Sequence, residues 1–340
     1  KGIVFTKTQK ALLRLIGVLL MAQMLWATNS LGGFLANPKL DKYLHFSAQP
    51  LTRFRQFTSV KDALGKESGD TFNWLKVANV NDYGGSLSET GTMHQTYQTI
   101  TKGTLTITEY GNSIPYTRKL LTLSEYEVKD MIRKGLLNDF RKVQDGLVER
   151  EFNSCVLRYV GSSTTTYALT TNGTATATNT SAFNKYHVKN MVDELVKRNV
   201  APYDGDNFIC VASLEAIRGI LDDLESTKYY VQEGYRDLLA GEVGLYYNCR
   251  FIRDNFATRY VYSASARTAT AISWTGAYSL PAYIFGGDTI IEAVAQPETI
   301  LPKEQTDYGR SLGLAWYFIA GYKIEWDDEP NTRIIKWDSA

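Results

Sequence analysis

The stretch Leu121–Val160, LTLSEYEVKDMIRKGLLNDFRKVQDGLVEREFNSCVLRYV, decides how the chain is read. Val128, Ile132, Leu136, Phe140, Val143 and Leu147 recur in steps of four, four, four, three and four, the period of one helical face. Glu127, Lys129, Asp130, Arg133, Lys134, Asp139, Arg141, Lys142, Asp145 and Glu149 fall between them and read as a solvated back. Thr122-Leu123-Ser124-Glu125 has the form of a capping box, so the helix is expected to start beside it. Some thirty residues at about 1.5 Å each would make a rod of about 45 Å, far beyond the usual helix. Gly135 and Gly146 are the two places where it could kink.

The segments on either side differ in character. Upstream, Ala11–Trp26 is the most hydrophobic run, but Arg14 and Gln23 interrupt it and it is too short to span a bilayer. It reads as an amphipathic arm that covers its apolar face on the body or on a neighbouring subunit. Asp70–Val80 and Tyr97–Glu109 read as strands around a Gly- and Ser-rich turn at 81–92. Phe57–Arg118 is thus a long two-stranded excursion, and such a ribbon needs something to lie on.

Downstream, Ser162–Ser181 holds nine threonines, with Asn172-Gly173 as a hairpin-turn signal. Ser181 is placed to cap a helix over Ala182–Asn199 with Val188, Met191, Val192 and Leu195 inward. Phe208–Ala212 reads as a buried strand, and Ser213 as the cap of a helix with Leu214, Ile217, Leu221 and Leu224 on one face. Gly241–Gly244 reads as a turn before a strand at Leu245–Arg253. Ala282–Phe285, Thr289–Val294, Leu312–Trp326 and Thr332–Trp337 read as further strands, with Gly321 as a possible bulge site.

Composition narrows the function. The chain has 340 residues with 37 basic and 36 acidic side chains, a net charge of +1, without the basic excess that nucleic-acid grip normally requires. Cys155, Cys210 and Cys249 are odd in number and far apart, so they read as buried free thiols. Phosphate-binding, zinc-protease, hydrolase and dinucleotide motifs are absent. His45, His94 and His187 are scattered; Asp204 and Asp206 read as a solvated turn. No catalytic, cofactor or metal residue is nominated. An arm, a ribbon, a long helix and a compact α/β unit are instead parts suited to contact with copies of the same chain.

In that order the parts resemble the major capsid proteins of tailed bacteriophages, the Hong Kong 97-type fold. Val200-Ala-Pro-Tyr-Asp-Gly-Asp-Asn-Phe, Gly241-Glu-Val-Gly and Thr306-Asp-Tyr-Gly-Arg-Ser-Leu-Gly-Leu-Ala-Trp-Tyr are similar to the branch found in N-four-like podoviruses. The motif positions that carry this are Asp204, Gly205, Gly241, Glu242, Gly244, Arg250, Asp307, Gly309, Arg310 and Trp316. The resemblance implies an α+β chain with an N-terminal arm at 1–53, an extended loop at 54–118 and a spine helix of the peripheral domain at 119–160. A central, axial α/β domain would occupy 161–280, and late strands at 281–340 would return to the peripheral domain. It implies hexamers and pentamers of an icosahedral shell in the virion, assembled in the host cytoplasm around double-stranded DNA. Scaffold, portal and decoration proteins are the implied partners, with no cofactor and no membrane. Near-neutral charge suits a shell that holds DNA without gripping it. Two other readings are a cellular nanocompartment of the same fold and a secreted or membrane-anchored β-rich binding protein.

Overall fold

The computed structural model describes residues 52–63, 69–78, 80, 84–173, 181–213, 216–221, 242–254, 260–261 and 278–339. The hydrophobic run at 11–26 and Gly241, Leu214 and Leu224 lie outside them. The chain divides into two compact units, and the divisions fall inside continuous elements.

The smaller unit includes 109–141 and 297–319. Strand β4 (Thr108–Thr117) leads into a short helix α1 (Arg118–Leu123), capped by the Thr117 hydroxyl, which accepts from the Leu120 N–H at 3.3 Å. The long helix follows as α2 (Val128–Asn153), 26 residues and about 39 Å. It begins later than the capping box suggested. Thr122 donates back to the Arg118 carbonyl, and Ser124 turns the chain by bonding both the N–H and the carbonyl of Tyr126. Val128, Ile132, Leu136 and Phe140 are buried as expected. Phe140 meets Trp316 and Phe318 edge-on at 5.7 and 5.4 Å, and Phe318 stacks on Tyr110. The apolar stripe therefore packs on the late strand β13 (Ser311–Ile324).

Beyond Phe140 the buried face continues in strict steps of four, through Gln144, Val148 and Phe152. Val143 and Leu147, assigned to the stripe from sequence, are only half-buried, while Asp145 and Glu149, assigned to the solvated back, are buried. The helix also stops at Asn153 rather than running to Val160. Residues Leu157–Gly161 form a fully buried strand, β5, in which Tyr159 and Val160 suit a sheet interior. Neither Gly135 nor Gly146 interrupts the helix.

The larger unit is built on an eight-stranded sheet. Its order is β6 (Tyr167–Thr170), β5, β14 (Ile334–Ser339), β11 (Tyr278–Phe285), β7 (Phe208–Ser213), β9 (Cys249–Asp254), β8 (Glu242–Tyr246), with β10 (Tyr260–Val261) beside β11. Two pairs, β14 with β5 and β7 with β9, are parallel; the rest are antiparallel. One face packs on helix α3 (Lys185–Lys197) through Val188, Met191, Val192 and Leu195, as the periodicity indicated. The other face carries Tyr283 and Phe285, which meet Phe152 of α2 and Phe54. Ser213 accepts from the Ala216 N–H and caps the helical turn at 216–221, in which Ile217 is buried.

Several local expectations shift. The cap of α3 is Asn184, which accepts from the His187 N–H, not Ser181. A β5–β6 hairpin turns at Ser162–Thr166, and the arm expected after Asn172-Gly173, at 174–180, lies outside the described residues. Glu242 and Gly244 sit inside β8 at a bulge, and the reversal comes at Tyr247 and Asn248, both with positive φ. The strands of 281–340 divide: β11 and β14 join the eight-stranded sheet, whereas β12 (Ile290–Pro302) and β13 join a four-stranded sheet ordered β1 (Thr58–Asp62), β12, β13, β4.

Of the Phe57–Arg118 excursion, only β2 (Thr71–Val77) and β3 (Ile100–Thr106) make a separate two-stranded ribbon; β1 runs parallel to β12. The ribbon's base is anchored in its own chain. Leu105 is buried with Ala63, Ile291 and Ala293, and Phe72 and Trp74 pack on this cluster. Gly321 matters here for its missing side chain. A Cβ would collide with the Leu105 side chain and lie 2.6 Å from the Thr106 carbonyl oxygen. It marks a close approach of backbones.

Candidate functional site

The first site is the joint that leads into the ribbon. A 3-10 turn at Arg55–Phe57 has no cap of its own, and its leading N–H groups would be orphaned. Asp145 of α2, distant in sequence, supplies the acceptor. Its Oδ1 accepts from the N–H of Phe54 at 2.9 Å and of Arg55 at 3.1 Å, and its Oδ2 from that of Arg53 at 3.3 Å. Burial raises the Asp145 carboxyl above its usual range, against the opposing pull of those N–H groups and the Arg53 charge. A second carboxylate holds the joint's side chains. Glu292 of β12 accepts from Arg55 Nη2 at 3.2 Å, from the Thr58 hydroxyl at 2.8 Å and from the Tyr322 hydroxyl at 3.4 Å. Phe54 itself is buried against Phe152 and Tyr283.

The ribbon beyond its base is exposed yet apolar. Leu75 is 73% and Tyr97 88% exposed, and Val77, Val80, Leu87, Met93 and Ile100 are exposed as well. Large apolar residues grouped on a thin surface element mark a contact face rather than a solvated one. One point of β2 is fastened down: Lys76 lies 2.6 Å from Asp327 with its ammonium near the faces of Trp74 and Trp326. Burial lifts Asp327, but the Lys76 bond and charge outweigh it and leave the carboxyl below the usual range.

The motif residues fall into separate places. Asp204 and Arg250 come together at 3.1 Å, and Gly205, at φ +57°, makes the turn that carries Asp204. Glu242 and Gly244 lie in β8, which pairs with the strand of Arg250. In the smaller unit, Asp307, Tyr308 and Gly309 take consecutive positive φ in a turn closed by the Thr306–Ser311 bridge. Tyr308 at its tip is fully exposed, and Arg310 faces Asp307 at 3.7 Å. The Arg310 carbonyl accepts from the Arg118 N–H, which fastens the turn to the start of α1. Trp316 is buried on α2.

Among the described residues, one serine–histidine pair has the look of catalytic chemistry and is engaged structurally. A cavity of about 630 Å³ is lined by Ser181, Lys185, Lys189, Tyr246 and neighbours. Ser181 Oγ lies 3.2 Å from His187 Nε2, which resembles a nucleophile and its base. Yet Nε2 also lies 2.9 Å from the Ser163 carbonyl, an acceptor only, so Nε2 carries the proton. Nδ1 then accepts from the Tyr159 hydroxyl at 3.1 Å, and no lone pair remains to activate Ser181. Burial lowers the His187 pKa, as a neutral structural imidazole requires. Cys155, Cys210 and Cys249 are buried and free, and burial pushes the Cys249 thiol up, away from reactivity. Among the described residues no group of three His, Cys, Asp or Glu side chains could hold a metal, and no helix is long and apolar enough to cross a membrane.

Sequence reading missed Asp145 and Glu292. One signal for Asp145 was available: extending the four-residue steps past Phe140 to Gln144, Val148 and Phe152 places positions 145 and 149 at the edge of the buried face. No local pattern marks Glu292, whose partners lie more than 200 residues earlier.

No family model and no curated protein matches the sequence. Solved structures do. A capsid chain of Ralstonia phage GP4 superposes with a TM-score of 0.63 at 14% identity, covering 92% of this chain and 98% of that one. A chain of the Helicobacter pylori bacteriophage KHP40 head gives 0.62 at 12% identity over 89% and 94%. A chain of the cyanophage Pam1 capsid gives 0.61 at 13% identity over 92% and 99%. The chain has the Hong Kong 97-type capsid fold. The match covers about nine-tenths of the chain rather than one part of it.

Proposed function

We propose that this chain is the major capsid protein of a tailed bacteriophage, a structural subunit that forms the hexamers and pentamers of an icosahedral shell around double-stranded DNA. The observation that carries the reading is the breadth of the match, which covers 92% of this chain and 98% of a capsid chain. The apolar ribbon beyond Leu75 supports it, because such a surface is stable only when another chain covers it. On this reading the eight-stranded sheet forms the axial domain, and α2 with β4 and the outer parts of β12 and β13 forms the peripheral domain. The motif residues Asp204, Gly205, Glu242, Gly244 and Arg250 shape the axial domain; Asp307, Gly309, Arg310 and Trp316 shape the peripheral one. Scaffold, portal and decoration proteins are its partners, DNA contact is non-specific, and the chain performs no catalysis. It assembles in the host cytoplasm and resides in the virion.

The test is assembly. Electron microscopy and sedimentation of the expressed chain, with a scaffold protein supplied, should show closed particles or capsomers. A chain that stays monomeric under those conditions overturns the proposal. Nucleic-acid content of particles from infected cells separates a viral shell from a nanocompartment filled with protein.

A further inference from the structure

We propose that Asp145 is a positioning residue for assembly. It fixes the direction of the main chain at Arg53–Arg55, which leads through β1 to the base of the ribbon, and so sets how the ribbon meets a neighbouring subunit. This rests on the shell reading above. The argument is one of geometry. A single carboxylate on α2 accepts from three successive backbone N–H groups, those of Arg53, Phe54 and Arg55. Three donors converging on two oxygens fix the direction of the backbone, not merely its distance. The neighbouring latch differs in kind. Glu292 grips the Arg55 and Thr58 side chains, which can rotate without redirecting the main chain. The 3-10 turn at Arg55–Phe57 has no cap within its own sequence, so Asp145 is its external cap. Asp145 is itself 1% exposed, and a buried carboxylate is held in place only where its bonds are worth its desolvation.

Trypsin reads the joint directly, because Arg53 and Arg55 are its cleavage sites. In full-length Asp145→Ala, cleavage after Arg53 and Arg55 should accelerate at least tenfold while cleavage elsewhere in the body and the far-ultraviolet circular dichroism stay as in the parent. The yield of closed particles should fall at least tenfold, with capsomers still present. Asp145→Asn keeps the volume and one accepting oxygen, and should fall between the two; it carries the test if the alanine variant does not fold. Unchanged cleavage at 53 and 55 in the Asp145 variants overturns the inference, as does faster cleavage with normal particle yield. Failure of the parent itself to assemble strikes the shell reading instead, and leaves the protection of Arg53 and Arg55 standing as a separate result.

Discussion

The Trp316 indole N–H donates to Asp139 Oδ2 at 3.0 Å, tying the late strand β13 to the long helix α2 within one unit. The same oxygen accepts from Asn112 Nδ2 of β4 at 2.7 Å. One carboxylate thereby joins three elements of the chain. Asp139→Ala leaves a buried indole N–H without its acceptor, at a cost of about 1–3 kcal/mol. Chemical denaturation of the unassembled subunit should show a lower midpoint with an unchanged slope. Trp316→Phe should recover part of the loss in the Asp139→Ala background, since it removes the stranded donor.

Gly321 should tolerate no side chain. Its Cβ would lie 2.6 Å from the Thr106 carbonyl, a backbone atom that cannot swing aside as a side chain would. Gly321→Ala is expected to cost about 1–3 kcal/mol by overpacking. Gly135→Ala, in the open on α2, should do the opposite and stabilise by up to about 1 kcal/mol. Thermal melting of both variants gives the comparison, and a neutral Gly321→Ala would show that the ribbon base is loosely seated.

His187 gives a pH dependence with a definite sign. Burial lowers its pKa below the ordinary 6.5. Above about pH 6.5 the folded and unfolded states are both neutral, and the contribution to stability is complete. As pH falls below that value the unfolded chain takes up a proton that the folded chain refuses, and stability drops until the lower folded pKa is passed. The slope from this group is at most about 1.4 kcal/mol per pH unit. His187→Gln, which can still donate to Ser163 and accept from Tyr159, should flatten the melting temperature between pH 7 and 5.5 relative to the parent. Parallel curves for the two proteins would contradict the assignment.

The distal ribbon should separate folding from assembly. Leu75→Asp and Ile100→Asp change exposed positions of β2 and β3, where a surface substitution moves stability by about 0.5 kcal/mol or less. Particle formation should nevertheless be lost, because each places a carboxylate where a neighbour would bury a methyl group. Melting temperature and particle yield measured on the same preparation decide this. A variant that assembles normally would show that the ribbon is not an intersubunit contact.

Most of the local structure was legible in the residues. The steps Val128, Ile132, Leu136 and Phe140 placed the inner face of α2, Val188 to Leu195 that of α3, and the run Phe208–Ala212 a buried strand. These succeed because helix and strand periods are properties of the backbone, and one buried face imprints its period on adjacent residues. The long helix was overextended at both ends. Helix starts and stops depend on which backbone groups find partners, and Ser124 and the β5 strand supplied alternatives within a few residues.

What only the tertiary structure decided has a common physical cause. Whether a carboxylate is solvated or buried depends on donors that arrive from elsewhere in the chain. Asp145 and Glu292 are charged in sequence and buried in the fold because the backbone of Arg53–Arg55 and the side chains of Arg55 and Thr58 come to them across roughly ninety and more than two hundred residues. Likewise β1 joins β12 in parallel, and β5 joins β14, by pairings that no local pattern encodes. The sequence by itself determined most of the elements and a resemblance to the capsid fold; tertiary packing decided which polar residues hold the joint at Arg53–Thr58, because their partners come from distant parts of the chain.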